Sequence, residues 1–161
     1  MLQFAQFGAG RIGSIHAANL MANGGTSLRY VIDVNEAAAR ELAGKYDAQV
    51  ADTKKALADP EVDAVIIASS TDTHADLAIA AARAGKAIFC EKPIDLTLKR
   101  ADACLAAVAK AKVPMFVAFN RRFDPNFRAL QERIKKGEIG KVEQVIITSR
   151  DPGLPHIGFL K

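Results

Sequence analysis

Leu2-Gln3-Phe4-Ala5-Gln6-Phe7-Gly8-Ala9-Gly10-Arg11-Ile12-Gly13 is the stretch that decides the fold. A short apolar run reads as a strand, a Gly-x-Gly-x-x-Gly loop follows it without a gap, and the helical stretch 11–21 opens directly from the loop. Strand, glycine loop and helix in that order make a dinucleotide fingerprint. Gly8 turns the chain tightly, Gly10 lets a pyrophosphate approach the backbone, and Gly13 lets the helix pack closely on the sheet. Free N–H groups and the positive end of the helix dipole, carried by Ala9, Arg11 and Ile12 with the glycines, then face the phosphates. The motif alone is weak evidence, because turns everywhere use glycine; its context carries the reading.

Outward from this loop, short apolar runs alternate with alanine-rich helical stretches, the pattern of repeated strand-helix units and a doubly wound parallel α/β (Rossmann) sheet. Six strands are predicted, at 2–7, 28–33, 48–51 (weak), 64–69, 87–90 and 115–119. The fourth, starting Ala64-Val65-Ile66-Ile67, is apolar on both faces and belongs mid-sheet. Helices are predicted at 36–46 behind Asn35, 53–58 behind Asp52, 74–84 behind Thr73 with Gly85 at its end, and about 98–112 before Pro114.

The second strand ends on Asp33, about 20 residues past the loop, where a carboxylate can accept hydrogen bonds from the adenosine ribose. The same charge repels a ribose 2′-phosphate, by about 4 kcal/mol per charge pair at about 4 Å in an effective dielectric of about 20, before screening. NAD is therefore expected rather than NADP. The other reading of Asp33 is a turn residue ahead of Asn35.

Ligands of such sheets bind past the carboxyl ends of the strands. After the fourth strand come Ser69, Ser70, Thr71, Thr73 and His74, which either line the nicotinamide side or simply cap a helix. After the fifth come Cys90, Glu91, Lys92 and Pro93, which puts a lysine at the cofactor cleft.

After Phe119 the pattern changes. Asn-Arg-Arg-Phe-Asp-Pro leads into a helix at about 126–136 closed by Gly137, then a strand at 142–148, before Pro152 and Pro155 break the chain. A lone strand cannot pair its backbone. The expected organisation is thus an NAD-binding domain at 1–119 and, at 120–161, the start of an incomplete α+β second domain.

Composition narrows the function classes. The 161 residues carry a net charge of +4, with 8 basic and 10 acidic side chains in 1–90 against 14 and 8 in 91–161. Those basic residues sit among helix-forming residues, as in Arg128 to Lys136, with few aromatics free to stack on bases, so a solvated helix face is expected and no nucleic acid. No run approaches the roughly 20 apolar residues of a membrane span, and the start lacks the features of a signal peptide, so a cytoplasmic protein without a membrane partner is expected. Cys90 and Cys104 form neither a redox motif nor, with the histidines, a metal-ligand set; both read as small core residues, and no metal is expected.

Gly-Ala-Gly-Arg-Ile-Gly-x-x-His16, Thr71-Asp-Thr-His74, Gly85-Lys86 and Glu91-Lys92-Pro93 together resemble the Gfo/Idh/MocA oxidoreductase family along the whole chain. Phe119-Asn-Arg-Arg-Phe-Asp124, Gly137-Glu-Ile-Gly140 and Thr148-Ser-Arg-Asp-Pro152 resemble its inositol 2-dehydrogenases. The resemblance implies oxidation of a secondary ring hydroxyl of inositol by hydride transfer to NAD. It places Lys92 in the active site as the catalytic residue, Arg121 in the substrate pocket, and Glu91 where it can orient the lysine or a substrate hydroxyl. An ammonium at Lys92 can hydrogen-bond the reacting hydroxyl, stabilise charge developing on its oxygen and join a proton relay. Arg122 reads as a packing or ion-pair residue, and His16 and His74 as satisfied structural histidines. The family's catalytic Asp-x-x-x-His lies beyond Lys161, so residues 1–161 alone are expected to bind NAD and oxidise little, and the full-length protein to form a homo-oligomer. The alternatives are a dehydrogenase of another sugar or polyol, and a non-catalytic NAD-binding regulatory module.

Overall fold

The computed structural model describes residues 1–150 and Gly153. They form two compact units, 1–119 and 120–161. In the first, β1 (Leu2–Phe7), β2 (Thr26–Ile32), β3 (Gln49–Val50), β4 (Ala64–Ile67), β5 (Ala87–Cys90) and β6 (Met115–Val117) form one parallel sheet in the order β3-β2-β1-β4-β5-β6. The connecting helices are α1 (Arg11–Met21), α2 (Glu36–Lys45), α3 (Thr53–Ala58), α4 (Thr71–Arg83) and α5 (Leu98–Ala111). The chain winds outward from β1 to β3, returns to lay β4 on the other side of β1, and winds outward again. The expected doubly wound sheet is the one observed.

Every residue of β4 is buried, as its two-faced apolar sequence requires of a central strand. On one side of the sheet, Phe7, Val65, Ile67 and Cys90 pack with Ala75, Ala78 and Ala82 of α4 and with Cys104 and Val108 of α5. On the other, Leu28 and Val31 pack with Ala17 of α1 and with Ala39, Leu42 and Ala43 of α2. Alanines at helical spacing let the helices sit close to the strands, so the larger β-branched and aromatic side chains of the sheet fill the space between. Burying Phe7 or Ile67 fully is worth about 2–3 kcal/mol each.

Four sequence expectations need correction. Strands β4 and β6 stop at Ile67 and Val117, two residues short, because the chain there leaves the ladder for the loops at the crevice. Helix α4 starts at Thr71 rather than His74; the Thr73 hydroxyl bonds the Ser70 carbonyl and so lies inside the first turn instead of capping it. Strand β2 starts two residues early, at Thr26.

The fourth correction concerns the second unit. It contains a 3-10 turn (Asn120–Arg122) and α6 (Pro125–Lys135), whose first amides are capped by the Asp124 carboxylate. The expected strand at 142–148 does not form; among the described residues it has no ladder partner, and β-branched residues without pairing do not make a strand. The basic side chains Arg128, Arg133, Lys135 and Lys136 are exposed, which is the solvated helix face expected of them. Asp151, Pro152 and Pro155 lie outside the described residues.

Candidate functional site

A sheet whose strand order reverses between β1 and β4 opens a crevice past their carboxyl ends, where the two flanking connections go to opposite faces. Helices α1 and α4 begin at that crevice, and their start differs from that of the other helices. Asn35, Asp52, Thr97 and Asp124 cap α2, α3, α5 and α6 with side-chain oxygens. Gly10 and Ser70, at the head of α1 and α4, give no side-chain cap. The first-turn N–H groups of an α-helix have no partner within it, so an anion at the crevice would meet uncapped donors and the positive end of two helix dipoles.

The glycines explain how a ligand can come so close. Gly8 has φ +103°, and a Cβ there would lie 2.4 Å from the Ala68 carbonyl oxygen. A Cβ on Gly13 would lie 2.1 Å from the Gly8 carbonyl oxygen, so α1 can rest on the loop only with glycine there. At Gly10, by contrast, a Cβ would meet nothing within 4 Å. That open side is the direction from which a phosphate can reach the backbone. Arg11 is exposed and Ile12 half-buried, so what these two bring to the crevice is their backbone.

Asp33 stands just past β2. One of its carboxylate oxygens accepts from the Ala9 amide at 2.6 Å and the other from the Asn35 amide at 2.8 Å. Both readings of this residue are thus realised, since it ties the glycine loop and also makes the turn before α2. Each oxygen keeps a further lone pair for a ribose hydroxyl. Gly8, Asp33, Ser69 and Ser70 share the lining of a cavity of about 460 Å³, within the range of small-ligand sites.

Thr73, weighed from the sequence as a lining residue, also lines the cavity, as do Val34, Thr53 and Leu77, which the sequence reading does not single out. Val34 is fully exposed directly after Asp33, and its position past β2 was the signal available. An apolar side chain there offers a flat ring a surface to lie on.

Of the residues after β4, Ser69 bonds Thr73 through their hydroxyls at 2.6 Å, and Thr73 donates to the Ser70 carbonyl. The Ser70 side chain is exposed, and Thr71 is half-buried in the first turn of α4. His74 is buried, with Nδ1 2.8 Å from the Pro93 carbonyl and Nε2 3.1 Å from the Ser69 carbonyl. Its side chain lies under the two loops and joins them, so it can act on a cofactor only through them.

The segment after β5 is held from the other side as well. Glu91 Oε1 lies 2.7 Å from His16 Nε2 on α1, and Oε2 accepts from the Lys92 amide at 3.2 Å. His16 also sets its ring edge-on to Phe89 at 4.9 Å. Glu91 therefore acts on the Lys92 backbone, not on its ammonium. The Lys92 side chain is exposed and has no ion pair or hydrogen bond among the described residues; its bond to Pro93 is cis.

Cys90 is fully buried, and burial pushes its thiol up to about 12, so it is a core residue and no nucleophile. Among the described residues no group of three or more His, Cys, Asp or Glu side chains could hold a metal ion. No helix among them is long and apolar enough to cross a membrane. In the second unit, Arg121 lies over the Phe127 ring at 5.5 Å. Arg122 is exposed and makes no ion pair among the described residues, contrary to the packing or ion-pair role expected of it.

Uncapped helix starts, an approachable Gly10 and a carboxylate at the end of β2 together fit a dinucleotide whose ribose carries free hydroxyls. Comparison with known proteins agrees. Residues 2–119 match the family model described as "Oxidoreductase family, NAD-binding Rossmann fold". The inositol 2-dehydrogenase of Rhizobium meliloti (strain 1021) is 49% identical over 160 residues, covering 99% of this chain and 48% of the relative. The myo-inositol 2-dehydrogenase of Thermotoga maritima is 43% identical over 162 residues, covering 99% and 48%. A crystal structure of a dehydrogenase from Sinorhizobium meliloti 1021 superimposes with a TM-score of 0.94 at 48% identity, over 99% of this chain and 49% of the other. The chain spans about half the length of the curated relatives it matches.

Proposed function

The chain belongs to the Gfo/Idh/MocA family of NAD-binding Rossmann-fold oxidoreductases, and from that premise we propose that it serves the NAD-dependent oxidation of a secondary ring hydroxyl of inositol. Residues 1–119 hold the cofactor in this reading, and residues 120–161 belong to the substrate side. The polyol is the expected small-molecule partner, the cytoplasm the expected compartment, and the full-length protein a homo-oligomer.

The observation that carries the reading is the pairing of an NAD-shaped crevice with an unengaged ammonium at the end of the strand beside it. When bound, NAD supplies a hydride acceptor for the carbon that bears the hydroxyl. The chain's own residues bind, orient and stabilise. Gly10, Arg11, Ile12 and Gly13 hold the pyrophosphate through their backbone, and Asp33 accepts from the adenosine ribose. Gly8 and Ala9, expected to donate as well, shape the loop instead, because the Ile32 carbonyl and the Asp33 carboxylate take their amides. Ser70 and Thr71 flank the crevice at the head of α4, while Ser69 fixes the loop through Thr73.

Lys92 donates a hydrogen bond to the reacting hydroxyl oxygen and stabilises the negative charge that develops there as the hydroxyl proton passes to a base supplied by the full-length protein. Glu91 and His74 keep the Lys92–Pro93 backbone in place from the α1 and α4 sides. Arg121 offers its planar donors to hydroxyl groups of the ring. The test is NADH formation from a panel of inositol stereoisomers, set beside hexoses, by the protein made from its full reading frame. Turnover of an inositol at the highest kcat/KM supports the proposal. Preference for a hexose moves the substrate assignment, and NAD binding without turnover of any polyol overturns the enzymatic reading.

A further inference from the structure

Gln6 is fully buried in β1, between the buried apolar residues Ala5 and Phe7. Its Nε2 amide donates to the Gly8 carbonyl and to the Gly13 carbonyl, each at 2.9 Å. Its Oε1 is buried and has no partner among the described residues. Turning the amide over does not mend this, because Oε1 would then face both carbonyl oxygens and neither could donate to it.

A buried amide with its acceptor unmet adds little net stability: an apolar side chain of the same length removes the unmet oxygen but leaves the Gly8 carbonyl without its Gln6 donor, and the two effects oppose each other. The position of those donors is what an apolar side chain cannot reproduce. Gly8 and Gly13 are the two ends of the glycine loop, and Gln6 ties both to one point of β1, one of the two central strands. Between them lie Ala9, Gly10, Arg11 and Ile12, the residues whose backbone fronts the crevice. A Cβ on Gly13 would lie 2.1 Å from the Gly8 carbonyl oxygen, so the two loop ends are close, and a small change in their separation swings the amides between them.

We propose that Gln6 is a positioning residue for the dinucleotide, setting the spacing of Gly8 and Gly13 and so aiming the loop amides at the pyrophosphate; this rests on the NAD-binding reading above. The test uses Gln6→Met and Gln6→Leu, measuring affinity for NAD and for adenosine, which has no pyrophosphate, together with thermal melting and amide hydrogen exchange. Both variants are expected to melt within about 5 °C of wild type, because losing the unmet oxygen offsets losing the donor to the Gly8 carbonyl. NAD affinity should fall about tenfold while adenosine affinity stays within about twofold, and exchange should quicken in residues 8–13 but not in β4 or α4.

NAD affinity within about twofold of wild type in both variants overturns the proposal. So does an equal loss of NAD and adenosine affinity, or a variant that melts well below wild type or fails to fold, because the amide then serves stability. A wild-type protein that binds no NAD removes the premise and the role together, and is told apart from failure of the role alone by the wild-type titration.

Discussion

Gly10 and Gly13 sit three residues apart in one motif, yet the structure predicts opposite consequences for giving each a methyl group. At Gly13 the new Cβ would lie 2.1 Å from the Gly8 carbonyl oxygen and 2.9 Å from its carbon, both backbone atoms, so no side-chain rotation relieves the contact. Helix α1 must move off the loop by about 1 Å, an overpacking that costs about 2–3 kcal/mol. In a domain of this size that lowers the melting temperature by about 8–12 °C.

At Gly10 the backbone is extended (φ −71°, ψ −169°) and the Cβ would meet nothing within 4 Å. Alanine there limits the unfolded chain, a gain of about 0.4–1 kcal/mol, offset by a few tenths for its poorer fit at a helix N-cap. Stability should change by less than about 0.5 kcal/mol. The methyl nevertheless occupies the side from which the pyrophosphate approaches, and NAD affinity should drop at least about tenfold, or about 1.4 kcal/mol. Thermal melts and NAD titrations of Gly10→Ala and Gly13→Ala check this: the first variant should melt like wild type and bind NAD poorly, the second should do neither well. A Gly10→Ala protein that binds NAD normally, or that melts as low as Gly13→Ala, refutes the assignment of the open side of the loop to the cofactor.

Three further outcomes follow from the side chains. Lys92→Ala should abolish turnover of the complete enzyme while NAD affinity stays within about threefold of wild type, read by steady-state kinetics and titration; undiminished kcat would remove Lys92 from the reaction. The Arg29 guanidinium, helped by the Glu61 amide and the Tyr30 hydroxyl, holds the Asp59 carboxyl down at about 2. A depressed folded pKa stabilises above the ordinary carboxylate range, so this contribution should fade as pH falls from about 4 to about 2, and acid titration of Asp59→Asn should show a shallower loss. Cys90 should resist thiol reagents in the native protein near neutral pH and react on unfolding, and because its folded pKa is raised, the matching stability should be lost as pH climbs from about 9 toward about 12.

Where local pattern and packing agree, the sequence reveals the structure closely. The run 2–7 ahead of the glycine loop and the two-faced apolar run at β4 read as parallel strands and form them, and the capping residues Asn35 and Asp52 place α2 and α3 at their observed starts. The start of α4 was misread because a hydroxyl just inside a helix looks in sequence like one just outside it; only the Thr73–Ser70 bond tells them apart. The β-branched run Val145-Ile146-Ile147-Thr148 reads as a strand but, among the described residues, has no neighbour to pair with, and pairing is a tertiary property.

The candidate site divides the same way. Gly8, Gly10, Gly13 and Asp33 were legible because one local motif holds them at fixed spacing. The His16–Glu91 contact was not, since 75 residues separate its partners. Nor was the tie from Gln6 to the glycine loop, because in sequence Gln6 is merely a polar residue in an apolar run.

The central claim is that the crevice past β1, β2 and β4 is built for NAD, with Asp33 reading the ribose. Titration of the protein with NAD and with NADP at matched ionic strength, in wild type and in Asp33→Ala, tests it most directly. The account predicts that wild type binds NAD at least about tenfold tighter than NADP, and that Asp33→Ala weakens NAD and narrows that gap. Equal binding of the two by wild type, or a preference that survives the loss of Asp33, would contradict it.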